Sequence, residues 1–225
     1  MSPPDPVSPS SAERTAPTGA SPAGSADSSR GSAGPDRPSA APPVVIGICG
    51  RALAGKSTCA QAMVGHCGGR VVAMADSLRD VVEAAFGSRY ETQEAKLATD
   101  PFWAPRLGER WSTGRQILQR VGSELFRELV HPDFWLFHLE LRLSRLATQP
   151  LIVIPDVRFD NEAQWVRAHG GWMLHLLRAD QPPSADAHQS ERGVSPAHVD
   201  QVVTSSSVAM TEAFGRDLAV ARLRR

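Results

Sequence analysis

Cysteine is scarce in this 225-residue chain, and so is any surplus of charge. Only Cys49, Cys59 and Cys67 are present. The number is odd and no CxxC or His-paired spacing accompanies them, which excludes a disulfide framework and a thiolate zinc site. A reducing, cytoplasmic setting follows as the expectation. Lys plus Arg equals Asp plus Glu, at 24 each, so the formal net charge is +0. That leaves no whole-molecule basic field for gripping nucleic acid or an anionic membrane, and neither is an expected partner. No apolar run approaches the ~20 residues that span a bilayer. A basic start followed by an apolar segment, the mark of a secretory signal, is also missing.

Residues 1–43 contain no aromatic residue and are dominated by Pro, Ser, Ala and Gly. Such a stretch cannot bury enough apolar surface to offset its ordering entropy, so it reads as a disordered tail. Residues 44–225 read as one globular domain. Val44-Val45-Ile46-Gly47-Ile48 is a β-branched run suited to a strand buried on both faces. A helical register covers Ser57 to Val64, and a second strand is predicted over Val71 to Ala75. Asp76-Ser77 caps a helix that Gly87 ends. Thr113 to Leu129 places Ile117, Leu118, Val121, Leu125 and Leu129 on one helical face. Asp133 to Leu146 does the same with Leu136, Leu139, Leu143 and Leu146. Leu151 to Ile154 is a strand, Asn161 to His169 a helix, Trp172 to Leu177 a strand and Gln201 to Thr204 a last strand. A helix around Thr211 to Leu223 closes the chain. Strands alternating with helices indicate an α/β fold with a central parallel sheet and helices on both faces, three layers in all.

The strongest local signal is Gly50-Arg51-Ala52-Leu53-Ala54-Gly55-Lys56-Ser57, which fits G-x-x-x-x-G-K-[ST] without a gap. The glycines let the backbone curl so that successive N–H groups point at phosphate oxygens. The helix opening there aims its positive end at the same anion. Lys56 can reach the β- and γ-phosphates, and the Ser57 hydroxyl can hold Mg²⁺, with Thr58 continuing the turn. The motif comes after an apolar strand and opens a helix, the context its mechanism needs. ATP and Mg²⁺ are the expected cofactors.

Asp156 sits at the carboxyl end of the strand Leu151 to Ile154. It suits either a place in the Mg²⁺ shell or a turn or cap. Arg158, two residues on, has the planar fork that matches phosphate oxygens. Trp103, Trp111 and Trp135 could stack on a base or pack a core, while Trp165 and Trp172 read as packing residues. His131 and His138 form no ligand set.

Taken in order, these segments resemble the phage-type deoxynucleoside monophosphate kinases, relatives of the adenylate and guanylate kinases. The resemblance rests on Ile48 to Thr58, on Met74-Ala75-Asp76-Ser77-Leu78-Arg79, and on Thr113-Gly114-Arg115-Gln116-Ile117-Leu118-Gln119 with Gly122-Ser123-Glu124. It continues through His131-Pro132-Asp133-Phe134-Trp135, Asp156-Val157-Arg158-Phe159-Asp160-Asn161-Glu162-Ala163, Gly170-Gly171 to Arg178, and His188-Gln189-Ser190-Glu191. Ser57 stands where an acidic residue is usual, and Ser205-Ser206-Ser207 where an "NDG" turn is frequent. The resemblance implies a P-loop kinase with a helical acceptor-binding insertion at 77–147 and a short lid at 178–199. It implies Lys56, Asp156, Arg158 and Arg178 (with Arg192 as the other lid arginine) at the transferring phosphoryl group. It implies Asp76, Arg79, Arg115, Gln119, Trp135, Ser190 and Glu191 at the acceptor, with Arg115 first at its phosphate and Arg79 second. The implied partners are small nucleotide substrates, and a homodimer is compatible with it.

Two rival readings use the same loop. One is a P-loop kinase for another phosphorylated metabolite, such as phosphomevalonate. The other is a nucleotide-binding regulatory module, which should carry a guanine-reading N-K-x-D segment that this chain lacks.

Overall fold

Alternation along the first strand explains the layering. In β1 (Val44–Cys49) Ile46 and Ile48 point to one face, and Val45, Gly47 and Cys49 to the other. A computed structural model describes residues 42–146, 148–180 and 193–224 of the chain. Most of the predicted tail and part of the predicted lid, including His188, Ser190, Glu191 and Arg192, lie outside the described residues.

After β1 come α1 (Lys56–Cys67), β2 (Arg70–Val71) and α2 (Met74–Phe86). The segment before β3 (Leu151–Ile154) carries α3 (Gln93–Leu97), α4 (Ala104–Leu107), a 3₁₀ turn (Glu109–Trp111), α5 (Gly114–Gln119) with a π-helical continuation (Arg120–Val130), and α6 (Phe134–Leu143). Beyond β3 lie α7 (Asp160–Ala168), β4 (Trp172–Arg178), a 3₁₀ turn (Pro196–His198), β5 (Gln201–Ser205) and α8 (Val208–Leu223). The five strands form one parallel sheet in the order β2-β3-β1-β4-β5. β1 is central, flanked by β3 (Val44 opposite Leu151) and β4 (Ile46 opposite Trp172). The chain leaves β1 on one side for β3 and β2 and on the other for β4 and β5. Loops after the strand carboxyl ends therefore converge on a crevice, where such sheets bind ligands.

One face of the sheet packs Ile46, Ile48, Leu151, Val153, Leu174 and Leu176 against Cys59, Ala60 and Met63 of α1 and Leu218 and Ala219 of α8. The other packs Val45, Ile152, Ile154 and Met173 against Met74, Leu136, Leu139, Ala163 and Val166. A third cluster, built around Val82, Tyr90, Ile117 and Val121, lies within residues 78–126. Among the described residues no helix is long and apolar enough to cross a membrane.

Local expectations fail at two places for physical reasons. The second strand does not run to Ala75 and Asp76-Ser77 do not cap the helix, because the Met74 and Ala75 N–H groups turn to Asp156 and open α2 already at Met74. The helix predicted over Thr113 to Leu129 widens to i→i+5 pairing after Gln119. Phe126, five residues after Val121, then packs inward. Leu125 and Leu129, which a 3.6-residue period put on the buried stripe, are 44% and 76% exposed.

Candidate active site

The phosphate loop joins β1 to α1. Gly50 has φ +136°, and a Cβ there would lie 2.2 Å from the Leu176 carbonyl oxygen of β4. Only glycine lets the loop begin so close to the sheet. Gly55, at φ 92°, opens α1 in the left-handed region, with no side chain between the first-turn N–H groups and the loop interior. Leu53 is also left-handed, at φ 64°, and 67% exposed on the outside of the curl. The Lys56 ammonium donates to the Gly50 carbonyl at 2.7 Å and the Arg51 carbonyl at 2.6 Å. Behind the loop, burial and the nearby Lys56 hold His175 of β4 below the usual imidazole range.

Asp156 lies just past β3 and does structural work. Its two carboxylate oxygens accept from the Met74 N–H at 2.9 Å and the Ala75 N–H at 2.8 Å. The residue before α2, Ala73, offers no side-chain cap, so Asp156 supplies one from 82 positions away. Glu162, on the first turn of α7, is 2% exposed and orders the next stretch. One of its oxygens accepts from the Arg158 N–H at 2.7 Å and the Phe159 N–H at 3.2 Å. The other takes a charge-assisted bond from Arg127 of the π-helix. Burial pushes the Glu162 carboxyl above its ordinary range, while the Arg127 guanidinium and the two backbone N–H groups pull the other way. Arg127 also stacks over Phe159, with its guanidinium carbon 4.2 Å from the ring centroid.

These elements enclose one cavity between the sheet edge and the helices that precede β3. Its wall includes Ala52 of the phosphate loop, Arg79 of α2, Arg115 and Gln119 of α5, Trp135 of α6, and Arg158. The capping box at Thr113 and Gln116 fixes the start of α5 and so the height at which Arg115 stands. Trp135 is 3% exposed and spends its indole N–H on the Gly122 carbonyl at 2.8 Å, leaving ring surface to the wall. A second, smaller cavity lies beyond the phosphate loop. It is lined by Gly55, Thr58, Arg178 and residues of the β5–α8 junction, Ser205, Ser207 and Thr211. There the Ser205 and Thr211 hydroxyls meet at 2.7 Å, and Ser207 caps α8 by accepting from the Met210 N–H.

Residues 103–211 match the family described as deoxynucleotide monophosphate kinase. A protein of Acanthamoeba polyphaga mimivirus that carries that family's name is 32% identical over 164 residues, spanning 66% of this chain and 80% of that protein. The chain belongs to the deoxynucleotide monophosphate kinase family. The deoxynucleoside-5'-monophosphate kinase of Escherichia phage T5 is 35% identical over 86 residues, or 36% of this chain and 34% of that one. The deoxynucleotide monophosphate kinase of Enterobacteria phage T4 is 28% identical over 112 residues, covering 49% and 45%.

Within this kinase the structure sorts the expected site residues into three groups. Arg79, Arg115, Gln119, Trp135, Asp156 and Arg158 share the larger cavity. Arg178, expected at the transferring group, lines the smaller cavity beside Gly55 and Thr58 of the phosphate loop and pairs with Asp180 at 2.7 Å. Asp76, expected at the acceptor, is not on the cavity wall. Its carboxylate links α2 to α6 through Arg142 at 3.0 Å and contacts Arg79 at 3.4 Å. Trp103 and Trp111 pack on Phe86 as part of the insertion's core, which settles their alternative readings as packing. Sequence reasoning missed Arg127 and Glu162, whose partnership spans 35 positions. The acidic residue after D-V-R-F-x-N was visible, but nothing local named its partner.

Proposed function

We propose that this protein transfers the γ-phosphate of Mg-ATP to a deoxynucleoside monophosphate, giving the diphosphate. The observation that carries the reading is geometric. The phosphate loop contributes Ala52 to the wall of a cavity that also carries Arg79 and Arg115 from the helices preceding β3 and Arg158 from just after it. Such an arrangement fits an anionic acceptor held end-on to an anionic donor. Phosphoryl transfer asks little covalent help of the protein; it asks for alignment and for cations where charge spreads.

On this reading the loop amides of Gly50, Arg51, Ala52, Leu53, Ala54 and Gly55, with Lys56, Ser57 and Thr58, hold the donor phosphates. Arg178 and the Ser205 to Ser207 turn lie on the side of the donor nucleoside. Ser57, in the first turn of α1, would serve Mg²⁺ as a hydroxyl ligand beside the donor's phosphate oxygens and water. Both Asp156 oxygens already accept N–H bonds, yet each keeps a lone pair. Asp156 therefore fits behind a metal-bound water better than directly on the metal. When bound, the metal neutralises charge on the donor phosphates. Arg115 and Arg79 grip the acceptor phosphate, Trp135 and Gln119 flank its nucleoside, and Arg158 faces the group in flight. The acceptor oxygen is already ionised, so no general base is required.

The test is Arg115→Ala in a coupled ADP-release assay. The acceptor KM should rise by about 10- to 100-fold, the range for a lost charge-assisted bond, with ATP affinity unchanged. Unaltered acceptor kinetics would remove Arg115 from the site.

A further inference from the structure

One wall of the larger cavity is formed by the short helix α3, which has no part in the transfer described so far. Two of its residues, Gln93 and Lys96, line the cavity. They stand three apart and so share a helical face. We propose that Lys96 binds the acceptor's phosphate together with Arg79 and Arg115, so that α3 belongs to the acceptor site and is not merely packing for the insertion. The inference rests on the kinase reading and adds to it a residue outside the motifs that suggested that reading.

Placement comes first. Five residues would make a poor helix alone, and α3 is held by its surroundings. Thr92 caps it by accepting from the Ala95 N–H at 3.1 Å. Just before it, the Tyr90 ring sits against Gly114, where a Cβ would come within 2.3 Å of the ring. The Tyr90 hydroxyl donates to Asp100 at 2.6 Å, and the Asp100 N–H donates to the Ser112 carbonyl at 2.6 Å. Tyr90 holds φ 47° to reach this position. A bridge between Thr99 and Thr113 ties the far end of the segment to the residue that caps α5. Both ends of the α3 segment are thus fastened to the start of α5, which fixes Lys96 relative to Arg115.

Charge comes second. The cavity wall carries Arg79, Lys96, Arg115, Arg127 and Arg158, against Asp156 and Glu162. Glu162 is taken by Arg127, and Asp156 accepts two backbone N–H groups. Lys96 thus shares the wall with Arg79, Arg115 and Arg158, while Asp76 contacts Arg79 and the Glu91 charge acts on Lys96. The Lys96 ammonium makes no ion pair or hydrogen bond among the described residues. Burial first, then Arg79, Arg158 and Arg115, hold it below the usual lysine range. Like charges gathered in a half-buried wall cost stability unless a polyanion joins them. A phosphate dianion supplies that charge, and an ammonium meets it as a point donor without needing a fixed approach angle. Gln93 adds a buried side-chain oxygen with no hydrogen-bond partner among the described residues, a polar group for the same ligand's sugar or base.

Lys96→Gln and Lys96→Arg in the full chain test this. Binding of deoxynucleoside monophosphates is compared with inhibition by the matching nucleosides, which lack the phosphate. Lys96→Gln should weaken the monophosphate by about 10- to 100-fold, leave nucleoside inhibition and the ATP KM unchanged, and be rescued to within a few-fold by Lys96→Arg. A parallel loss for nucleoside and monophosphate would mean a structural role and overturn the proposal. So would unchanged monophosphate binding in a chain that still phosphorylates it. If the unaltered chain binds no nucleoside monophosphate, the kinase reading falls and this inference falls with it.

Discussion

Arg127→Met isolates the device that joins the π-helix preceding β3 to the stretch after β3 that carries Arg158. In the native chain the Arg127 and Glu162 side chains are 11% and 2% exposed, and Glu162 also holds the Arg158 and Phe159 N–H groups. Methionine keeps most of the stem's volume but leaves the carboxylate buried without its cation. Breaking such a pair from one side costs about 3–5 kcal/mol, a large share of the roughly 5–15 kcal/mol of a typical domain. At an m-value of about 2 kcal/mol per molar, the urea midpoint falls by about 2 M. The pH dependence carries a sign. A carboxyl whose pKa is higher in the folded state loses stability for the fold as pH rises through the window between its unfolded and folded values. Burial already raises Glu162, and removing the opposing cation raises it further. The deficit of the variant relative to the native chain should therefore be smaller at pH 5 than at pH 7. Adding Glu162→Gln removes the stranded charge and should recover most of the loss. A deficit below about 1 kcal/mol at pH 7, or a double variant no more stable than the single one, would refute the reasoning.

Asp156→Asn leaves one oxygen where two N–H groups need acceptors. It should cost about 0.5–2 kcal/mol, the scale of a lost helix cap, and raise the acceptor KM more than the ATP KM because α2 carries Arg79; chemical denaturation and steady-state kinetics check both. Gly50→Ala places a methyl 2.2 Å from the Leu176 carbonyl at φ +136°. The loop must move, with strain of about 1–3 kcal/mol, and ATP binding measured by calorimetry should fall at least about tenfold.

How much of this was legible in the chain depends on the distance between partners. The phosphate loop is contiguous, and its glycines are dictated by contacts within a few residues and the adjoining strand, so Gly50 to Ser57 could be read directly. Arg79, Arg115 and Arg158 were named through motifs, and the fold carries them to one cavity. What escaped was settled by tertiary contact. The cap of α2 is Asp156, just past β3 and 82 positions from Met74. Helices α3 and α4 are too short for periodicity to reveal and are held by Tyr90, Asp100 and Trp103, whose indole N–H donates to the Phe86 carbonyl at 2.9 Å. The π-helical turn moved Leu125 and Leu129 off the stripe that a regular period predicts. The partner of Asp76, Arg142, lies 66 positions away, and nothing in the motif around Asp76 announces it.

The most direct measurement of the central claim is product identity. Mg-ATP is incubated with each deoxynucleoside monophosphate in turn, with phosphomevalonate alongside, and the products are separated by anion-exchange chromatography. The account predicts a deoxynucleoside diphosphate formed in equal amount to ADP for one or a few acceptors, and none with Lys56→Ala. ADP released without a matching diphosphate, or at the same rate without any acceptor, would contradict it.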